Sequence, residues 1–199
     1  MNKEVKKNLS EIIRLHELWQ NSDPEGKRAD FSNLDLRKIN LSGANLSMAS
    51  FFASNLEGAN LSGGKFENCN FENANMKGAN LSHASIRFSN IINAVIDKAN
   101  MKYLDMRNVT GTTSSIQHSN LTGADASYCN LENSDLDYSC IVRADFTGAT
   151  LIRVDFKATN MKNAKLFGAD FTGAANFMDK LDDKQRLELF LVDRIYGEE

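Results

Sequence analysis

Proline and tryptophan each occur once in 199 residues, and cysteine three times. A chain this poor in cysteine is not a disulfide scaffold, and a single proline leaves nearly every residue the backbone N–H that paired strands consume. No run of 18 apolar residues is present, which excludes a membrane-spanning helix. The opening MNKEVKKNLSEIIRLHELWQ is amphipathic and charged throughout, unlike a secretory signal peptide, so a soluble cytoplasmic protein with no membrane partner is expected. Basic residues number 23 and acidic residues 26. No side of the chain carries the dense lysine and arginine stripe that releases counterions from a phosphate backbone, so direct binding of nucleic acid is not expected.

Chemistry-bearing clusters are equally scarce. His16, His83 and His118 lie far apart, with no Cys or Asp partners at metal-ligand spacing, and no glycine-rich loop leads into a helix. Neither a metal nor a cofactor is expected. A nucleophile needs a base within hydrogen-bond reach and a pocket that excludes water, and the serines and aspartates here are scattered without such partners. The chain is read as not an enzyme, with no catalytic residues; an enzyme remains the reading from a different class.

Against these gaps stands one regularity. In ANLSGGKFENCNFENANMKGANLS, residues 59–82, a large apolar residue returns at every fifth position: Leu61, Phe66, Phe71, Met76 and Leu81. On an α-helix, five residues advance about 140° beyond a whole turn, so these side chains would scatter round the axis. On a flat strand, an odd repeat would throw them to alternating faces. What remains is a short extended piece followed by a corner that resets the inward face. The register runs from Phe31 to Phe171 without insertion or deletion, giving 29 centres that are all Leu, Phe, Ile or Met except Gly111 and Ala126. Two residues before each centre stands a mostly small residue, such as Ala44, Ala59 or Ala74, with Leu34, Ile39, Leu104, Val109 and Val154 as larger variants; it shares the inward face. Asn or Asp stands between the two in most units. Ser, Thr, Gly, Asn and charged residues follow the centre, as a corner requires.

The units ADFSN, ANLSM, ANLEGANLSGG, ANMKGANLS, ADFTG and GADFTGA resemble the A(D/N)LxX unit of the pentapeptide-repeat family over residues 29–173. The resemblance implies an all-β solenoid: a right-handed, four-sided parallel β-helix of four pentapeptides per coil. At about 4.8 Å per coil, residues 29–173 make about seven coils and a rod about 35 Å long. Three segments are expected: 1–28, an N-terminal helix and lead-in; 29–173, the β-helix; and 174–199, a C-terminal helix with Asp182 or Asp183 as N-cap. Open strand edges invite further pairing, and the two flanks read as caps. Leu187, Phe190, Leu191 and Ile195 form one apolar stripe of the C-terminal helix, with Leu189, Val192 and Tyr196 on another face, so a cap and a homodimer contact are both expected there.

Partner-binding residues are sought on the rod's sides. Taking sides by residue number modulo 20, the first two together are net −4 and the other two together net +3, although residues 29–173 together carry only −1. Glu132, Asp135, Asp137, Asp155 and Asp170 gather in the last coils. Phe52, Ile92 and Ile152 point outward where polar residues are the rule. The expected function is a non-enzymatic protein-binding scaffold. Some relatives in the resembled family protect or inhibit type II DNA topoisomerases by mimicking DNA, so a DNA-mimicking modulator of DNA gyrase is the alternative. The near-neutral coil and the lack of inserted loops depart from that pattern. Asn40, Asn60, Asn80, Asn100, Asn120 and Asn160 fall in one column, read as an amide ladder that ties strands together. Cys69 and Cys129 are three coils apart, about 14 Å, too far to bridge. The coil holding Gly111 and Ala126 is expected to be narrow or filled by a neighbour, and weakly protected.

Overall fold

Twenty residues after any strand residue, the chain lies beside itself again. In the computed structural model, which describes residues 3–187 and 189 and side chains from residue 9 onward, residue n pairs in parallel with residue n + 20 without a break, from Asp30 with Ser50 to Asp155 with Ala175. Each rung uses three bonds per side: Phe31 N–H to Ser50 C=O at 2.8 Å, Asn33 N–H to Phe52 C=O at 2.8 Å, and Ser50 N–H back to Ala29 C=O at 3.1 Å. The result is a right-handed, four-sided parallel β-helix. Its sides are called first to fourth after their lowest centres, Phe31, Leu36, Leu41 and Leu46.

The five-residue unit follows from local chemistry. The Asn or Asp pairs between coils through its backbone, and its Oδ1 accepts the N–H two residues on, as from Ser32 to Asp30 at 2.9 Å and from Glu57 to Asn55 at 3.1 Å. That bond bends the chain into the corner. The centre's carbonyl then accepts the N–H three residues on, Leu34 to Phe31 at 3.2 Å. The third residue of each such turn has φ between +52° and +70°, at every corner from Asn33 to Gly173. This is the type II pattern, for which glycine is suited. Only eight of these corners hold glycine, so the ladder imposes the left-handed conformation on residues as large as Phe88 and Tyr128.

Inside, the centres form a continuous column, buried from Phe31 to Leu166, with Phe171 half-exposed at the end. Phe31, Phe51 and Phe71 stack on the first side with centroids 4.9 and 4.8 Å apart, inside the range where offset stacking is favourable. Where the small inward residue is Ser or Thr, its hydroxyl is satisfied in the wall. Ser89 donates to Phe66 C=O at 2.8 Å and accepts from Cys69 N–H at 2.9 Å; Ser119, Ser139 and Thr159 repeat the bond to a carbonyl 23 residues back. Leu34 departs from the sequence expectation: it is 40% exposed, because in the first coil no earlier coil packs beneath it. Gly111 leaves no void. A Cβ there would come within 2.7 Å of Ile91 Cγ1 and 2.9 Å of Leu131 Cδ2, so the coils below and above have moved in.

Both ends are covered. Helix α1, Lys3–Gln20, lays Leu9, Ile12 and Ile13 against the column. From it the fully buried His16 accepts the first coil's Ala29 N–H on Nδ1 at 3.0 Å. Gly26 passes so close that a Cβ would sit 2.1 Å from the Trp19 nitrogen, a spacing only glycine allows. At the other end a 3-10 turn, Met178–Lys180, leads to helical residues 183–187 and 189. Asp182 is the N-cap: its Oδ1 accepts Gln185 N–H while Gln185 Oε1 accepts Asp182 N–H, both at 2.9 Å, a reciprocal capping box. The Gln185 amide also donates to the open carbonyls of Met161 and Ala164, each at 2.9 Å. Leu181 is buried and Leu189 packs on the core cluster, whereas Leu187 is 60% exposed. Phe190, Leu191 and Ile195 lie outside the described residues. Among those described, no helix is long and apolar enough to cross a membrane.

Candidate interaction surfaces

The second side carries three carboxylates in adjoining coils, Asp135, Asp137 and Asp155. Asp135 bridges to Asp155, and Asp137 Oδ1 accepts Lys157 N–H at 3.0 Å. Burial, followed by the charges of Asp135 and Asp155, pushes the Asp137 carboxyl above its usual range. A hydrogen bond from the Asn176 side chain at 2.7 Å holds Asp155 below its own. Glu132 and Asp170 belong to the first side instead, and Glu132 is paired with Arg153. The structure therefore gathers three of the five expected acidic residues. Phe52, Ile92 and Ile152 also stand on the first side, one above another in the column that includes Glu132, and all three are half-buried.

On the third side the amide column is bonded from coil to coil over Asn60, Asn80 and Asn100. Asn80 donates to Asn60 at 3.4 Å and Asn100 to Asn80 at 3.0 Å, while Ser62, Ser82 and Thr122 hydroxyls close on the neighbouring Asn oxygens. The fourth side holds a charge ladder. Arg87 spans Glu67 at 3.0 Å and Asp105 at 3.7 Å; Arg107 spans Asp105 at 2.7 Å and Asp125 at 3.5 Å; Lys165 meets Asp145 at 2.7 Å. Partly exposed pairs of this kind are each worth about 0–1 kcal/mol. Their main effect is to leave the side locally neutral.

The most exposed aromatic residues sit at corners. Along the edge after the fourth side, Met48, Phe88 and Tyr128 are 47%, 55% and 64% exposed, and Phe167 beside that edge is 51% exposed. Tyr128 lies flat over Gly148, where a Cβ would come within 2.6 Å of its ring; Tyr103, on the opposite edge of the same side, covers Gly123 in the same way at 2.7 Å. Residue number modulo 20 places Met48, Phe88 and Tyr128 in one corner column, a signal present in the sequence but visible only when corners as well as sides are sorted.

Eight copies of the model for pentapeptide repeats match residues 27–63, 54–91, 114–151 and 143–173. The chain belongs to the pentapeptide-repeat family. Among solved pentapeptide-repeat folds, this one is similar to QnrB1, a plasmid-mediated fluoroquinolone resistance protein, at 16% identity over 84% of this chain and 96% of that one, with a TM-score of 0.37. It is similar to HetL of the cyanobacterium Nostoc, a pentapeptide repeat protein involved in heterocyst differentiation regulation, at 22% identity over 79% and 89% of the two chains, TM-score 0.28. Rfr23 of the cyanobacterium Cyanothece shares 18% identity over 84% and 98%, TM-score 0.36. No curated protein matches the chain at a significant level.

For this pentapeptide-repeat chain, no three His, Cys, Asp or Glu residues converge on a metal-sized site among the described residues. Burial pushes the Cys69 and Cys129 thiols up to about 12, so neither offers a thiolate near neutral pH. Cys140 is half-buried, with its sulfur 3.3 Å from the Thr122 hydroxyl.

Proposed function

We propose that this protein is a non-enzymatic, cytoplasmic scaffold that binds another protein along the edge marked by Met48, Phe88, Tyr128 and Phe167. The supporting observation is that row of large exposed apolar side chains on a backbone whose polar groups are already paired between coils. Aromatic residues fixed on a rigid surface lose little entropy on contact and dominate protein interfaces. Homodimerisation through the C-terminal segment, with Leu187, Phe190, Leu191 and Ile195, accompanies this reading. The test is capture of partners from the native cell by the full chain, compared with a Phe88→Ala, Tyr128→Ala double variant and with Tyr138→Ala on another edge. Loss in the double variant alone supports the reading; equal capture by all three overturns it.

A second reading, a DNA-mimicking modulator of DNA gyrase, is favoured by the Asp135, Asp137 and Asp155 cluster, whose mutual repulsion is what a cationic surface would relieve. Salt-sensitive inhibition or protection of supercoiling by the wild-type chain would support it. No effect at micromolar concentration would remove it.

A further inference from the structure

Met48, Phe88, Tyr128 and Phe167 are separated by 40, 40 and 39 residues. With twenty residues per coil, each step is two coils, about 9.6 Å, and the row spans about 29 Å parallel to the rod axis. Between the large residues stand smaller ones, Asn68, Asn108 and Gly148, so the backbone positions of Met48, Phe88 and Tyr128 recur every two coils, with Phe167 one residue before the next; the Tyr128 ring itself reaches over Gly148.

The interval discriminates among the forms a bound segment can take. An extended strand repeats the same face about every 6.7 Å, so a 9.6 Å step falls between one and two of its repeats. Strand addition is also closed off by the rung bonds, since Phe88 N–H already donates to Arg107 C=O and Tyr128 N–H to Thr147 C=O. An α-helix repeats a face every seven residues, about 10.5 Å, and 21 residues would cover about 32 Å, overshooting the row by about 3 Å. A polyproline II segment repeats every three residues, about 9.3 Å, and nine residues cover about 28 Å, within about 1 Å of the row. On one flank of the edge, the fourth side, the charges are self-neutralised by the ion-pair ladder, so that flank offers no net charge to a ligand. Area agrees as well. A single edge about 29 Å long offers too little surface for a standard folded partner, which needs about 800 Å² on each side, yet it suits a slender preformed helix docking on aromatic rings.

We infer that this edge binds a proline-rich, polyproline II segment of a partner protein, with one anchor residue for each three-residue turn. The inference rests on the protein-binding reading above. It is tested with fluorescein-labelled dodecaproline, about 37 Å long, titrated by fluorescence anisotropy against the full chain. Saturable binding is expected, weakened about fivefold or more by Phe88→Ala and by Tyr128→Ala, and unchanged by Tyr138→Ala. Circular dichroism and melting of each variant check that the coil is intact. No saturation up to about 1 mM peptide, or binding indifferent to Phe88 and Tyr128, overturns the inference. Preferential binding of a heptad-patterned α-helical peptide overturns it in favour of a helical partner. If dodecaproline fails while partner capture still depends on Phe88 and Tyr128, the scaffold reading stands and this inference alone falls.

Discussion

Thr113 sits at a corner with φ of +58°, a conformation that a β-branched residue tolerates poorly. The left-handed region costs an L-residue about 1–2 kcal/mol, and glycine gives back part of that through its greater unfolded entropy. Thr113→Gly is expected to stabilise the chain by up to about 1 kcal/mol in denaturant melts. Two residues earlier, Gly111 behaves oppositely. Its φ is unremarkable, but its space is occupied by Ile91 and Leu131, and its carbonyl accepts both Ser114 and Ser134 hydroxyls, at 2.7 and 2.8 Å. Gly111→Ala is expected to cost about 1–3 kcal/mol by overpacking, measured the same way. The centres and their spacing were legible from residue 31 onward because the repeat never slips. The filling of Gly111 was expected only as one of two outcomes, since it depends on residues one coil away in both directions. The exposure of Leu34 was not legible, because burial at an end depends on what covers it.

Helix α1 is fastened to the coil by a group that titrates. Burial lowers the pKa of His16; Arg28 also lowers it, while Glu17 and a backbone hydrogen bond raise it. The Nδ1 that accepts Ala29 N–H must be unprotonated. The folded state therefore binds fewer protons than the unfolded one, so this contribution is complete above the unfolded pKa of about 6.5 and is lost as pH falls below it. Acidification from pH 7 to 5 should lower the hydrogen-exchange protection factor at Ala29, its rate taken relative to the intrinsic rate at each pH, before those of the central coils respond. His16→Asn, which keeps an acceptor but does not titrate in this range, should remove that pH dependence. At the far end Gln185 is the corresponding fastener. Gln185→Ala leaves the Met161 and Ala164 carbonyls without their amide donor and is expected to cost about 1–3 kcal/mol. Light scattering on that variant and on a chain cut after Asn176 shows whether the exposed edge then self-associates; no association beyond the full chain's own oligomeric state in either would count against a capping role. The sequence revealed a helix with Asp182 as a candidate cap, but the reach of Gln185 depends on where the last coil ends.

Over the whole molecule, function is expected to separate cleanly from folding, because the candidate surfaces lie outside a column that they do not hold together. Replacing Asp135, Asp137 and Asp155 together with Asn keeps the Oδ1 acceptors and removes the repulsion that raises the Asp137 pKa. The melting temperature should fall by no more than a few degrees, if at all, while any salt-sensitive effect on gyrase supercoiling should vanish. The sides and their charges could be sorted from residue numbers alone. The edges could have been sorted in the same way. What the numbers could not show is which charges are spent on neighbours, as Glu132 is on Arg153 and Asp105 on Arg87 and Arg107.

An unbroken register also makes the surface behave like a combination lock. Each pentapeptide is a quarter-turn, so removing or inserting one leaves the inward pattern of five intact while rotating everything downstream onto the next face. A deletion between Phe88 and Tyr128 would keep the core filled yet move Tyr128 and Phe167 round the rod, away from Met48 and Phe88. Only a change of twenty residues, one full coil, restores the alignment. Lengthening by whole coils is therefore the route by which such a chain can grow while keeping an axial binding row, and a shorter insertion changes the displayed face without disturbing the interior.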